Sequence, residues 1–213
     1  MYLDCQSRPL LFGGIYAKNV WIKSMTLLHE QRVRRVAILC CTCMRNIAFY
    51  RACWDGHDLR VNNEFWKTVS GNFLDTAVHE WFKAFAHKRS KHHWSKVIPE
   101  SSHAAFEHDL LAHLDLAPMP TYNGDELEGA HPYEQFNDLL RKYRDKFLAH
   151  LDDELVANLP VTEPMRKGAE FLFDYLTTTQ PDAFSGYLMQ TSADFFDGLS
   201  ELGRAEVNRR EAT

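Results

Sequence analysis

No apolar run in this chain approaches the roughly eighteen residues needed to cross a bilayer, so no spanning helix is expected. Residues 1–16 hold Leu10, Leu11 and Phe12, but no basic leader followed by a long apolar stretch, and no secretory signal is expected there. An excess of positive charge is also missing. The 24 lysines and arginines face 29 aspartates and glutamates, a formal net charge of −5, so any contact with a polyanion must come from a local patch. The five cysteines are odd in number, and Cys40, Cys41 and Cys43 crowd one segment, whereas a disulfide framework would spread them. Reduced thiols in a cytoplasmic setting are the expectation.

The chain also lacks strand-period alternation and internal repeats. Gly13-Gly14 follows no strand and matches no phosphate loop, and nucleophile elbows built on Ser or Cys are absent. His79-Glu80-Trp81-Phe82-Lys83 begins like a zinc-protease helix, but Lys83 stands where the second histidine must be. His103, His108 and His113 recur every five residues, about 140° apart on a helix, and share no ligand face. The cysteine pair Cys40/Cys43 and the pair Cys53/His57 lie along one predicted helix, so ordinary burial of cysteine outweighs zinc ligation. Neither metal nor cofactor is expected.

What is present is a strong helical period in a chain with 45% apolar residues and 13% aromatics, ample for a packed core. Val33, Val36, Cys40, Cys43, Met44 and Ile47 recur at three- and four-residue steps and predict a helix over about 25–53. A second, over about 63–86, carries Phe65, Val69, Phe73, Val78, Trp81, Phe82 and Phe85. Gly71 interrupts it and is read as a close helix crossing. Ser101 or Ser102 caps a helix through Leu114, Pro132 opens one that buries Phe136, Leu140, Tyr143 and Phe147, and Thr162-Glu163-Pro164 restarts another through about Tyr175. Ser192 is read as the cap of a last helix, to about Asn208. The fold expectation is all-α: a single domain, 1–213, with an antiparallel bundle over about 25–178, a segment 1–24 before it and a helix 190–210 after it.

Chemistry concentrates in Arg141-Lys142-Tyr143-Arg144-Asp145-Lys146-Phe147-Leu148-Ala149-His150. Arginine binds phosphate bidentately and histidine exchanges protons near neutral pH, which is the minimum for cutting a phosphodiester without a metal. The plain alternative is a solvated helix face. Six helical steps place Arg144 and His150 about 120° apart and about 9 Å along the axis, so one straight helix does not aim both at one atom. A helix ending near His150, or a second copy across a two-fold axis, would remove that objection. A second patch runs from Lys83 to Lys96, with Lys88, Arg89 and Lys91, and no acid between Glu80 and Glu100. There Trp94 either stacks on an unpaired base or plugs the bundle.

The stretch Arg144-Asp145-Lys146-Phe147-Leu148-Ala149-His150 resembles the signature of HEPN-domain proteins: arginine, a polar residue, and histidine after four to six intervening residues. Phe73 to Phe85 and His93-Trp94-Ser95-Lys96-Val97-Ile98 resemble the AbiU2-like branch, and the ordered set covers about 63–153. The resemblance implies a HEPN-like helical bundle that forms a homodimer and joins two copies of the motif. Many such proteins are metal-independent endoribonucleases in toxin–antitoxin or abortive-infection systems, with an antitoxin or nucleotidyltransferase partner. Others keep the fold as interaction or nucleotide-binding modules without shown nuclease activity. By the resemblance Arg144 would hold the scissile phosphate of RNA, His150 would act as acid or base at the 2′-hydroxyl, and Asp145 would orient one of them. Lys146, Arg141, Lys91 and Trp94 would contact the substrate.

Overall fold

The computed structural model describes residues 28–117, 131–145, 161–187 and 190–212. Six α-helices stand among them: α1 (His29–Ala52), α2 (Glu64–Trp81), α3 (His103–Leu114), α4 (Pro132–Tyr143), α5 (Glu163–Thr179) and α6 (Ser192–Glu211). The fold is all-α apart from a two-stranded hairpin, and no helix among the described residues is long and apolar enough to cross a membrane.

Helix α1 lies at the centre, packed on α2, α5 and α6. Its predicted stripe is its buried face: Val33, Val36, Cys40, Cys43, Met44 and Ile47 are each at most 2% exposed. Burying each of the larger aliphatic side chains contributes about 1.5–3 kcal/mol, so the stripe rather than helix propensity holds α1 in place. Contacts that run in opposite chain order show antiparallel neighbours. Phe49 meets Phe73 and the Cys43 thiol donates to the Ala77 carbonyl, pairing α1 with α2; Asp75 meets Tyr143 and Trp81 meets Phe136, pairing α2 with α4.

Trp81 is the hub. It is fully buried, stacks on Phe85 with centroids 4.2 Å apart, and its indole Nε1 donates to the Asn137 side-chain oxygen at 2.8 Å. The glycine that permits a close crossing here is Gly168 of α5, where an added Cβ would lie 2.6 and 2.8 Å from the Trp81 ring. Gly71 marks no crossing: an added Cβ there meets nothing within 4 Å.

Other expectations shift by a residue or a turn. Thr191, not Ser192, caps α6: its hydroxyl accepts from the Asp194 amide, while the Ser192 hydroxyl donates to Asp174 Oδ2 at 2.6 Å. Ser102 gives α3 no side-chain cap; the chain enters α3 through a 3₁₀ turn, Glu100–Ser102. The helix predicted to reach residue 86 is α-helical only to Trp81 and continues as a π-helix, Phe82–Ala86.

After α1, β1 (Trp54–Asp55) and β2 (Asp58–Leu59) pair antiparallel around a two-residue loop. Gly56 has φ +59° at the first loop position, which a side chain would resist and which matches a type II′ turn. Arg60, next after β2, clamps α6: Nε and Nη2 donate to the two oxygens of Glu211 at 2.9 and 2.7 Å, and Nη2 donates to Asn208 at 2.7 Å. Gly203 permits α6 to approach, since a Cβ there would stand 2.9 Å from that of Ala52.

Candidate functional site

The described part of the Arg144 to His150 run, Arg144 and Asp145, sits where α4 meets the π-helical end of α2. Helix α4 opens with Pro132 and buries Phe136, Leu140 and Tyr143, as their spacing predicts. Arg144 continues the helical backbone, and its guanidinium lies 4.3 Å from the centroid of the Phe82 ring. The same guanidinium donates to Asp145 Oδ1 from Nε at 2.7 Å and reaches it from Nη2 at 2.6 Å. π-helical segments recur at functional sites because the extra residue re-aims side chains, and Phe82 is the first residue of this one.

Beside Arg144, the Tyr143 hydroxyl donates to Asp75 Oδ1 at 2.7 Å. Burial raises the Asp75 carboxyl above its ordinary range, and that hydrogen bond offsets part of the rise. Burial, the bond to Asp75 and the nearby Tyr50 push the Tyr143 phenol far up, so it stays a donor. Arg141 projects on the exposed face and pairs with Asp138 at 2.8 Å, where Lys142 also reaches Asp138 at 3.2 Å. The structure therefore brings Arg144 and Asp145 together and turns Arg141 to solvent. Lys146 and His150 lie outside the described residues.

The basic loop divides into an exposed part and a buried part. Lys91 is exposed and Lys83 pairs with Glu80 at 2.8 Å. His93 is only 1% exposed: its Nε2 lies 3.0 Å from the Phe85 carbonyl and its Nδ1 lies 2.8 Å from the Ser95 hydroxyl. Burial holds its pKa down at about 4, so the ring is neutral and carries its proton on Nε2, toward the carbonyl. Trp94 is 7% exposed, with His103 and Phe106 at 5.0 and 4.8 Å between centroids. Its faces are taken by the core, which corrects the expectation of a base-stacking platform: Trp94 plugs the bundle.

Thiol chemistry is suppressed. Cys40, Cys41, Cys43 and Cys53 are free, and burial pushes all four thiols up, Cys41 to about 11. Among the described residues no group of three or more His, Cys, Asp or Glu side chains could hold a metal ion.

One cavity was not anticipated. It measures about 420 Å³ and is lined, among the described residues, by Tyr50, Arg51, Trp54, Gly56 and His57 at the junction of α1 and the hairpin. The Trp54 indole Nε1 donates to the Ser70 hydroxyl at 2.9 Å, and the Tyr50 and Trp54 rings stand 6.0 Å apart, inclined at 51°. Arg51 is held from α5: Nε donates to Thr162 at 3.0 Å and Nη2 to Glu163 at 2.7 Å. Arg166 first, and Arg51 after it, hold the Glu163 carboxyl down at about 2 against the opposing effect of burial. The available sequence signal was Trp54-Asp55-Gly56-His57, a glycine turn between an indole and an imidazole.

Comparisons of the chain with protein-family models, with curated proteins and with solved structures found no match.

Proposed function

We propose that this chain is a HEPN-type protein of the AbiU2-like branch, acting in the cytoplasm as a homodimeric, metal-independent endoribonuclease in a toxin–antitoxin or phage-defence setting. The observation that carries the reading is the Arg144–Asp145 pair seated on Phe82 of the π-helix, at the point where the chain enters the segment bearing Lys146 and His150. Ring and carboxylate fix the orientation of the guanidinium, which gives Nε and Nη2 to Asp145, so a phosphate would meet it at Nη1 and the remaining Nη2 hydrogen. RNA supplies its own nucleophile. In the proposed reaction His150 takes the 2′-hydroxyl proton, that oxygen attacks phosphorus, the bond to the 5′-oxygen breaks, and an acid returns a proton to the leaving oxygen. Arg144 offsets the charge gathering on the phosphoryl oxygens. The partner copy would supply the second guanidinium and imidazole, and an antitoxin or nucleotidyltransferase would hold the dimer in check.

The same geometry favours a second reading. Arg144 is already engaged by Asp145 and Phe82, which suits a structural lock in a non-catalytic interaction module. The two are separated by incubating the pure protein with single-stranded RNA in chelator, alongside Arg144→Ala and His150→Ala. Cleavage that survives chelator and falls at least a hundredfold in both variants supports the nuclease. Equal background in all three leaves the module, and a monomer by sedimentation removes the composite site.

A further inference from the structure

The cavity at the hairpin has the chemistry of a small-ligand site. Its volume of about 420 Å³ falls in the range of ligand pockets. Tyr50 and Trp54 supply two aromatic surfaces, and 6.0 Å between tilted rings is too close to admit a third ring between them. A planar ligand would instead lie on one face, and the bond from Trp54 Nε1 to Ser70 fixes which way the indole faces.

The polar groups at the rim are donors. Arg51 gives Nε and Nη2 to Thr162 and to the Glu163 carboxylate, which fixes the guanidinium before a ligand arrives and leaves Nη1 as the donor a ligand would meet. His57 is exposed on the two-residue loop and free of core packing. The hairpin's own carboxylates lie on the other side. Register pairs Trp54 with Leu59 and Asp55 with Asp58, and successive strand residues point to opposite faces, so Asp55 and Asp58 turn away from the Trp54 face. A flat aromatic wall edged by a guanidinium and an imidazole fits a planar ring that carries an anionic group.

From these features we infer that the Tyr50–Trp54–His57 cavity binds a nucleotide, with its base on the Trp54–Tyr50 wall and its phosphate toward Arg51 and His57. Two sources share that chemistry: a free nucleoside monophosphate, or an unpaired nucleotide within single-stranded RNA. The RNA source rests on the nuclease reading above. It also has a spatial basis, because α2 carries both Ser70, bound by Trp54, and Asp75, bound by Tyr143, about 7.5 Å apart along its axis. A strand whose phosphate lies at Arg144 could then place a neighbouring base at the hairpin.

The test is isothermal titration of the full chain with AMP, with UMP, and with a 2′-O-methyl hexanucleotide that cannot be cleaved by its own 2′-oxygen. Trp54→Leu and His57→Ala are titrated in parallel. His57 is exposed, so its removal leaves the melting curve at the parent's position and keeps the test valid should Trp54→Leu fail to fold. Mononucleotide binding that weakens at least tenfold in Trp54→Leu and at least threefold in His57→Ala establishes a free-nucleotide site. Binding of the hexanucleotide alone, with the same losses, establishes an RNA subsite. Absence of binding by every probe, or binding unchanged in His57→Ala, overturns the inference. Because the oligomer is uncleavable, this outcome is independent of the Arg144 assay: nucleotide binding without cleavage keeps the cavity and ends the nuclease reading, and cleavage without nucleotide binding does the reverse.

Discussion

Two tryptophans with a histidine close by in the chain have opposite fates in this molecule. Trp94, with His93 before it, closes the end of the bundle: both residues are under 8% exposed and every nitrogen of His93 has a partner. Trp54, with His57 three residues on, is half-buried and borders an open cavity. Trp94 sits in the most basic stretch of the chain and Trp54 beside two aspartates, so local charge points to the wrong indole. What decides is the opposing surface. Trp94 faces Phe106 and His103 of α3, whereas Trp54 is tied to Ser70, packs in part against the small Ala52–Cys53–Val207 cluster, and also lines the cavity.

The widest test of that contrast is stability. Trp94→Ala should cost about 3–5 kcal/mol, and Trp54→Ala, half-exposed and losing one hydrogen bond to Ser70, about 1–2 kcal/mol in urea unfolding. Equal costs would mean that both indoles are core. Acid should next act through His93. Its folded pKa, about 4, lies below the ordinary 6.5, so the unfolded chain binds the proton more readily. Stability should therefore fall as pH drops from about 6.5 to about 4, by up to about 3 kcal/mol, and flatten below that. His93→Gln, although weaker at neutral pH, should show a shallower acid limb; an unchanged limb assigns the effect elsewhere.

The glycines sharpen the same lesson at smaller amplitude. Gly168→Ala should destabilise by about 1–3 kcal/mol, because its methyl would press into the Trp81 ring. Gly71→Ala should stabilise by up to about 1 kcal/mol, since it removes backbone freedom in a helix and meets open space. Thermal melts of the two variants should move in opposite directions.

Much of the architecture was legible because it follows from period and punctuation. The α1 stripe, the Pro132 start and the restart at Thr162-Glu163-Pro164 need only local information, and each stands where its residues place it. Features that depend on an opposing surface were not legible. Gly71 and Gly168 look alike along the chain, and only the ring of Trp81 distinguishes them. The π-helix at Phe82–Ala86 hides inside an unbroken apolar period, because one added residue per turn leaves composition unchanged. Thr191 and Ser192 are adjacent hydroxyls with equal title to cap α6, and Asp174 claims the second. At the candidate site the sequence located Arg144 and Asp145; it could not show that Phe82 would be the surface beneath them.

The clasp between Arg60 and the end of α6 has a practical side. Glu211 and Asn208 are gripped by the residue that follows the hairpin, so the last turn of α6 steadies the loop bearing His57. A preparation trimmed by protease to residue 207 would lose that grip. Nucleotide titrations ought to use material in which α6 is verified intact by mass.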